Sequence, residues 1–202
     1  MNFLGLIIGY ALGSLSPAYF LGKLLKGIDI RQHGDGNAGG LNAYNVLGAW
    51  PALVTVIFDL FKGLVSMYIA SLLGAGSIFV HLAGLTAVLG HVFPFYLGFR
   101  GGKGIGTSMG ILFYYLYLML RNQWLSLPWL LGYVGMVILL FFIVKRKEIV
   151  GLISLPLLLG LIFLSSPLRP VTLFAALLVL YIFLMNFYLN IYRKKPAVQQ
   201  VS

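Results

Sequence analysis

The stretch Ile78–Leu120 reads IFVHLAGLTAVLGHVFPFYLGFRGGKGIGTSMGILFYYLYLML. Two apolar runs, 78–98 and 105–120, flank a basic, glycine-dense turn, Arg100-Gly101-Gly102-Lys103-Gly104. Runs of this length and character read as membrane-crossing helices. The turn between them has the opposite character. Its glycines let backbone N–H groups face an anion without a Cβ in the way. Arg100 and Lys103 add charge, and Thr107 and Ser108 stand where the next helix begins and presents its partial positive end. The whole stretch reads as two membrane helices joined by a phosphate-holding loop.

The rest of the chain extends this reading. Of 202 residues, 60% are hydrophobic and only 9% are charged, with a mean hydropathy of +0.98. A soluble domain carries about a quarter charged residues, so this composition excludes one. We expect a single all-α integral membrane domain over 1–202, with seven transmembrane helices at about 3–22, 50–73, 78–98, 105–120, 128–144, 149–164 and 171–191. The fourth and sixth are short for a bilayer. The first lacks a basic segment before it and is followed by Lys23, Lys26 and Arg31, which suits a retained anchor better than a cleaved signal.

Charge then sets orientation. Lys23, Lys26, Arg31, Arg100, Lys103, Lys145, Arg146, Lys147, Arg193, Lys194 and Lys195 fall on one side, and Arg121 and Arg169 on the other. This bias puts the N-terminus outside and the C-terminus in the cytoplasm. Trp50, Trp124 and Trp129 lie near span ends, as interfacial anchors do. No basic helix or extended basic segment outside the membrane invites nucleic acid.

A second glycine-rich loop, Arg31–Asn42 (RQHGDGNAGGLN), faces the same compartment. Gly34-Asp35-Gly36-Asn37-Ala38-Gly39 is literally GxGxxG, but no strand or βαβ unit surrounds it, so a dinucleotide fold is rejected. The Lys103 loop is not a Walker motif either, because Leu97 and Gly104 stand where Gly and Ser/Thr are needed. Both loops read as anion nests, with His33 a contact or a plain loop residue. Asp59 and Lys62 share one face of the second span, as a structural pair or as shapers of a site. His91 borders the basic loop. Asn186 and Asn190 share a face near the cytoplasmic end of the last span.

The chain has no cysteine and four carboxylates, Asp29, Asp35, Asp59 and Glu148. Thiolate chemistry is excluded, and paired-acid hydrolysis and metal-assisted phosphoryl transfer are poorly supplied. There is no GxSxG, and no aspartate follows a histidine by five positions. Residues of this kind suit an already activated donor, with the protein supplying position and charge.

The motifs resemble those of the PlsY family, the bacterial acyl-phosphate-dependent glycerol-3-phosphate acyltransferases. The likeness runs through Gly13-Ser14-Leu15, Gly22-Lys23, Asp29-Ile30-Arg31, Gly34, Gly36-Asn37, Gly39 and Asn42. It continues in Asp59-Leu60-Phe61-Lys62-Gly63, Gly90-His91, Phe93-Pro94, Phe99, Gly101-Gly102-Lys103-Gly104 with Thr107, and Asn190-Ile191 with Arg193. The resemblance implies seven membrane helices in the bacterial inner membrane and a cytoplasmic active site. It also implies acyl transfer from acyl phosphate to the 1-hydroxyl of glycerol-3-phosphate, giving lysophosphatidate and phosphate. Under it, Lys103, His91, Asn42 and Arg193 are the catalytic set. Ser14, Arg31, Gly34, Gly36, Asn37, Gly39, Gly101, Gly102, Gly104, Thr107, Ser108 and Asn190 bind phosphates, and Asp59 and Lys62 shape the site. No metal or cofactor is implied, and the expected form is a monomer among membrane lipids.

Some positions depart from the family pattern. Asp35 stands for a serine, Gly40-Leu41 for Ala-Thr, and Asn45 for an arginine. Asn186 and Phe187 stand for an Arg-His pair, and the glutamate that ends the third motif is absent. These departures admit another acceptor, a transporter of phosphate compounds or lipid headgroups, or a decayed site. Asp35 adds negative charge beside an anion nest and Asn45 removes positive charge, so restoring serine and arginine there is expected to raise activity on glycerol-3-phosphate.

Overall fold

The computed structural model describes residues 1–145, 147–165 and 169–192, and these contain helices and turns but no strand. Among the described residues, nine α-helices follow in order: α1 (Asn2–Ser14), α2 (Pro17–Lys26), α3 (Gly40–Leu47), α4 (Ala49–Leu72), α5 (Ser77–Val92), α6 (Ile105–Arg121), α7 (Leu127–Ile143), α8 (Lys147–Ser165) and α9 (Pro170–Tyr192). The chain divides into two compact units, Met1–Ile111 and Leu112–Lys194.

Four helical segments among the described residues are long and apolar enough to cross a membrane: Asn2–Lys26, Ala49–Leu72, Ser77–Leu97 and Pro170–Tyr188. Leu127–Ile143 and Ile149–Leu164 are shorter apolar helices. Large apolar side chains such as Leu72, Phe142 and Leu164 point outward, as lipid permits and water does not.

The expected first span, 3–22, is broken rather than continuous. Ser16 caps α2 by accepting the Tyr19 N–H at 3.3 Å, and Pro17 occupies the first helical turn. The Ser-Pro pair therefore restarts the helix. A break at membrane depth leaves backbone groups to be satisfied, and here side chains do so. The Tyr96 hydroxyl donates to the Ser14 carbonyl at 2.8 Å and accepts the Ser16 N–H at 3.2 Å. Lys62 Nζ donates to the Leu15 carbonyl at 3.1 Å.

In the first unit, α1 lies close against α5 because both present small residues. Gly5, Gly9 and Gly13 are buried on one face of α1. A Cβ on Gly13 would fall on the backbone of Ala87, and one on Gly90 would fall on the Tyr10 carbonyl. Such stripes let membrane helices approach where no hydrophobic effect drives them together. Beyond α2, a small core of Ala18, Ile30, Ala38, Ala43 and Ala52, with Val46 and Leu47, supports the first glycine loop and α3.

In the second unit, α7 buries none of its residues. The Tyr133 hydroxyl donates to the Ser154 carbonyl at 3.1 Å, near Pro156 inside α8. The Arg169 guanidinium lies 4.5 Å from the centre of the Trp124 ring, a cation–π contact.

Candidate functional site

The first glycine loop is built around Asn42, which is 0% exposed. Its Nδ2 donates to the carbonyls of Ile30 and His33 at 3.0 Å and of Asn37 at 2.9 Å. Its Oδ1 accepts the Asp35 N–H at 2.9 Å. One amide thus gathers a loop that would otherwise bury its own carbonyls unpaired. Gly34 sits at φ +61, and a Cβ there would fall on Asn42 Oδ1. Asn42, expected as a catalytic residue, is placed beneath the loop with its amide occupied. Burial and this pairing suit it to holding the loop's shape.

The loop also uses its own N–H groups. Gly36 donates to the His33 carbonyl at 3.1 Å, and Asn37 donates to Asp35 Oδ1 at 3.1 Å. The second loop does the same: Gly101 donates to the Val92 carbonyl and Gly102 to the His91 carbonyl, both at 3.0 Å. Gly36, Asn37, Gly101 and Gly102 therefore spend their N–H groups on shaping the turns rather than on presenting a nest. Open donors remain at the first turns of α3, after Gly39, and α6, after Gly104, where N–H groups lack an intrahelical partner.

Two contacts join the loops. Lys103 Nζ lies 3.2 Å from Asp35 Oδ2, with the side chains 22% and 30% exposed. Arg31 donates from Nη1 to the carbonyls of Leu97 and Arg100. Arg31 also grips Asp29 through two bonds, Nε to Oδ1 at 3.0 Å and Nη2 to Oδ2 at 2.7 Å, and its guanidinium lies over Tyr19. Arg31, expected as a phosphate ligand, is placed as a tie between the loops, with its guanidinium engaged by Asp29 and by the second loop's carbonyls. The fork geometry that suits phosphate suits a carboxylate equally well. Sequence reasoning gave Asp29 no role here, although an acid two residues before an arginine was the available signal.

The Arg31 guanidinium holds the Asp29 carboxyl below its ordinary range, against the opposing effect of burial. A lowered pKa contributes stability above the ordinary carboxylate range, about pH 4, and loses it as pH falls through the lowered value. Asp29→Asn should therefore melt at a lower temperature than the parent by a constant margin from about pH 5 to 8. Thermal unfolding in detergent should show that margin closing toward about pH 3.

Beneath the second loop lies a buried ionic group. Asp59 Oδ1 is 2.8 Å from Lys62 Nζ and 3.3 Å from His91 Nδ1. These are close polar contacts without hydrogen-bond alignment at Oδ1 or Nδ1. A Cβ on Gly102 would fall on His91 Nε2, so the loop closes onto the imidazole only because that residue is glycine. Asp59 and Lys62 lie together beneath the loop, an arrangement that suits a structural pair as well as a shaper of the site.

Other expected residues are placed less openly. Ser14 is buried, and its hydroxyl donates to the Tyr10 carbonyl at 2.8 Å. Thr107 and Ser108 are 0% exposed, and neither hydroxyl has a hydrogen-bond partner. Thr107→Val should leave thermal stability within about 0.5 kcal/mol of the parent, because no bond is lost. A clear fall in the unfolding temperature would contradict that placement. Arg193 lies outside the described residues, and only the helical backbone of Asn190 is described. Asn186 packs beside Gly151 of α8.

The profile of the glycerol-3-phosphate acyltransferase family matches residues 3–195. The chain belongs to that family. It is 46% identical over 111 residues to the glycerol-3-phosphate acyltransferase of Halalkalibacterium halodurans, covering 53% of each chain, and so spans about half the length of that relative. Against the glycerol-3-phosphate acyltransferase of Prochlorococcus marinus (strain NATL1A) it is 32% identical over 99% of this chain and 100% of the other. A crystal structure of PlsY (YgiH), an integral membrane glycerol 3-phosphate acyltransferase in its glycerol 3-phosphate form, superposes with a TM-score of 0.68 at 26% identity. That match covers 92% of this chain and 88% of PlsY.

Proposed function

We propose that this protein transfers a fatty acyl group from acyl phosphate to the 1-hydroxyl of glycerol-3-phosphate, as an early step of membrane phospholipid synthesis. The hydroxyl oxygen attacks the acyl carbon, and the bond from that carbon to the phosphate oxygen breaks. The hydroxyl proton goes to the departing phosphate. Lysophosphatidate and inorganic phosphate result. The donor is a mixed anhydride with a good leaving group, so the chain needs to position two phosphates and neutralise charge.

One observation carries this reading: the two glycine loops are tied together through Lys103–Asp35 and through Arg31 to Leu97 and Arg100. The starts of α3 and α6 are then the open anion-binding ends. Lys103 is the charged group of the first unit best placed to meet phosphate, and the family resemblance implies Arg193 as a second cation. His91 and Gly102 support the second loop, and Asn42 supports the first. Family membership and the PlsY forms with glycerol 3-phosphate and lysophosphatidic acid support the substrate and product.

The same proposal includes seven helices acting as one transmembrane domain in the bacterial inner membrane, in monomeric form. The loops face the cytoplasm, as the Lys and Arg bias requires. The family match through 3–195 supports treating both units as one working chain. A second acceptor is also favoured by one feature, since Asn45 is exposed on α3 and offers no cation where the family resemblance implies an arginine. Purified protein in lipid should acylate glycerol-3-phosphate with acyl phosphate as donor. Acylation supported by an acyl thioester and not by acyl phosphate would overturn the donor assignment.

A further inference from the structure

We propose that Asp35 sets the affinity of the phosphate site by competing for Lys103. The inference rests on the phosphate-binding reading above and adds a residue that weakens the site. The two oxygens of the Asp35 carboxylate have separate tasks. Oδ1 accepts the Asn37 N–H at 3.1 Å, which fixes the side chain on its own loop. Oδ2 reaches across to Lys103 Nζ at 3.2 Å. The carboxylate is therefore held where it meets the cation that a phosphate would need.

Both side chains keep partial contact with solvent, at 30% and 22% exposure. A pair of this kind is weak and can open. Arriving phosphate must displace a carboxylate from the ammonium, then sit near a negative charge that stays anchored through Oδ1. Both effects lower affinity without removing any binding group. They apply equally to the phosphate of glycerol-3-phosphate and to released inorganic phosphate, because the shared chemistry is a phosphate meeting Lys103. Asp35 thus trades tight substrate binding for easy product release. The deeper pair, Asp59 with Lys62, is almost wholly buried and has no such access.

Asp35→Asn separates the two tasks. The amide oxygen retains the Asn37 bond, while the charge on the Lys103 side is lost. In lipid-reconstituted protein, the KM for glycerol-3-phosphate and the inhibition constant of inorganic phosphate should fall together, by about two- to fivefold, without a matching rise in kcat. Radiolabelled inorganic phosphate should bind more tightly by the same factor, and this gain should vanish in a Lys103→Met background. Should Asp35→Asn fail to fold, Asp35→Ser keeps a short oxygen for the Asn37 N–H and takes its place. Unchanged or weakened phosphate binding in the folded variant, or a gain that persists without Lys103, would overturn the inference. If the parent shows no acyl transfer, the function above fails, while the direct phosphate measurement still decides the role of Asp35.

Discussion

Lys103→Met should lower acyl transfer about 100- to 1,000-fold while leaving the protein folded. Methionine keeps the length and apolar stem of lysine and removes only the charge. Lys103 stands between Gly102 and Gly104, next to the first turn of α6, and is partly open to solvent. It is thus the cation on the second loop best able to meet phosphate. Charge accumulates on the donor phosphate as the acyl bond breaks, and a fixed ammonium there stabilises the transition state more than the ground state. The loss should appear mainly in kcat/KM for both substrates. Lys103→Arg should recover part of it, because the charge returns with a different shape and reach. Stability should change little, since the pair with Asp35 is partly exposed and weak. Activity of Lys103→Met within about tenfold of the parent would remove Lys103 from the chemistry.

Asn42→Ala should have a comparable effect by another route. The truncation leaves the carbonyls of Ile30, His33 and Asn37 and the N–H of Asp35 without the amide that pairs them. Unsatisfied buried groups cost about 1–3 kcal/mol each, partly relieved by relaxation. A net loss of about 3–5 kcal/mol is expected, large for any single change. The first loop would then let go of Asp35 and of the start of α3. Acyl transfer should fall at least about 100-fold, together with the unfolding temperature. That joint fall separates a scaffold from a catalytic group, which would lose rate and keep stability. Asn42→Asp should be no better, because a carboxylate would face three carbonyl oxygens. A variant at Asn42 that is inactive yet as stable as the parent would return the residue to the catalytic set.

These two residues also show what a sequence can carry. The position of Lys103 was legible, because a cation set among glycines at the start of an apolar run stands beside a helix N-terminus, as it does before α6. The helical membrane character was legible from composition, since a chain with 9% charged residues has too few polar groups to solvate a surface in water. The role of Asn42 was not legible. A buried asparagine and a ligand asparagine look alike until the carbonyls around it are placed. Arg31 is a related case, because Asp29 two residues away meets its preference for an oxyanion.

The break between α1 and α2 was written in Ser16-Pro17 but hidden within an apolar run. Its acceptance depends on Tyr96, 80 residues beyond Ser16, and on Lys62, 47 residues beyond Leu15. Such distant repair leaves no local pattern. Asp35 read as a charge that harms an anion site. In the fold that charge is paired with Lys103, which turns an apparent defect into a means of setting affinity.

Acyl transfer to glycerol-3-phosphate is tested most directly by phosphate release from acyl phosphate, with purified protein in lipid, measured with and without glycerol-3-phosphate. The expected result is release that depends on glycerol-3-phosphate and forms lysophosphatidate in equal amount. Release at the same rate without glycerol-3-phosphate, or none from folded protein, would contradict it.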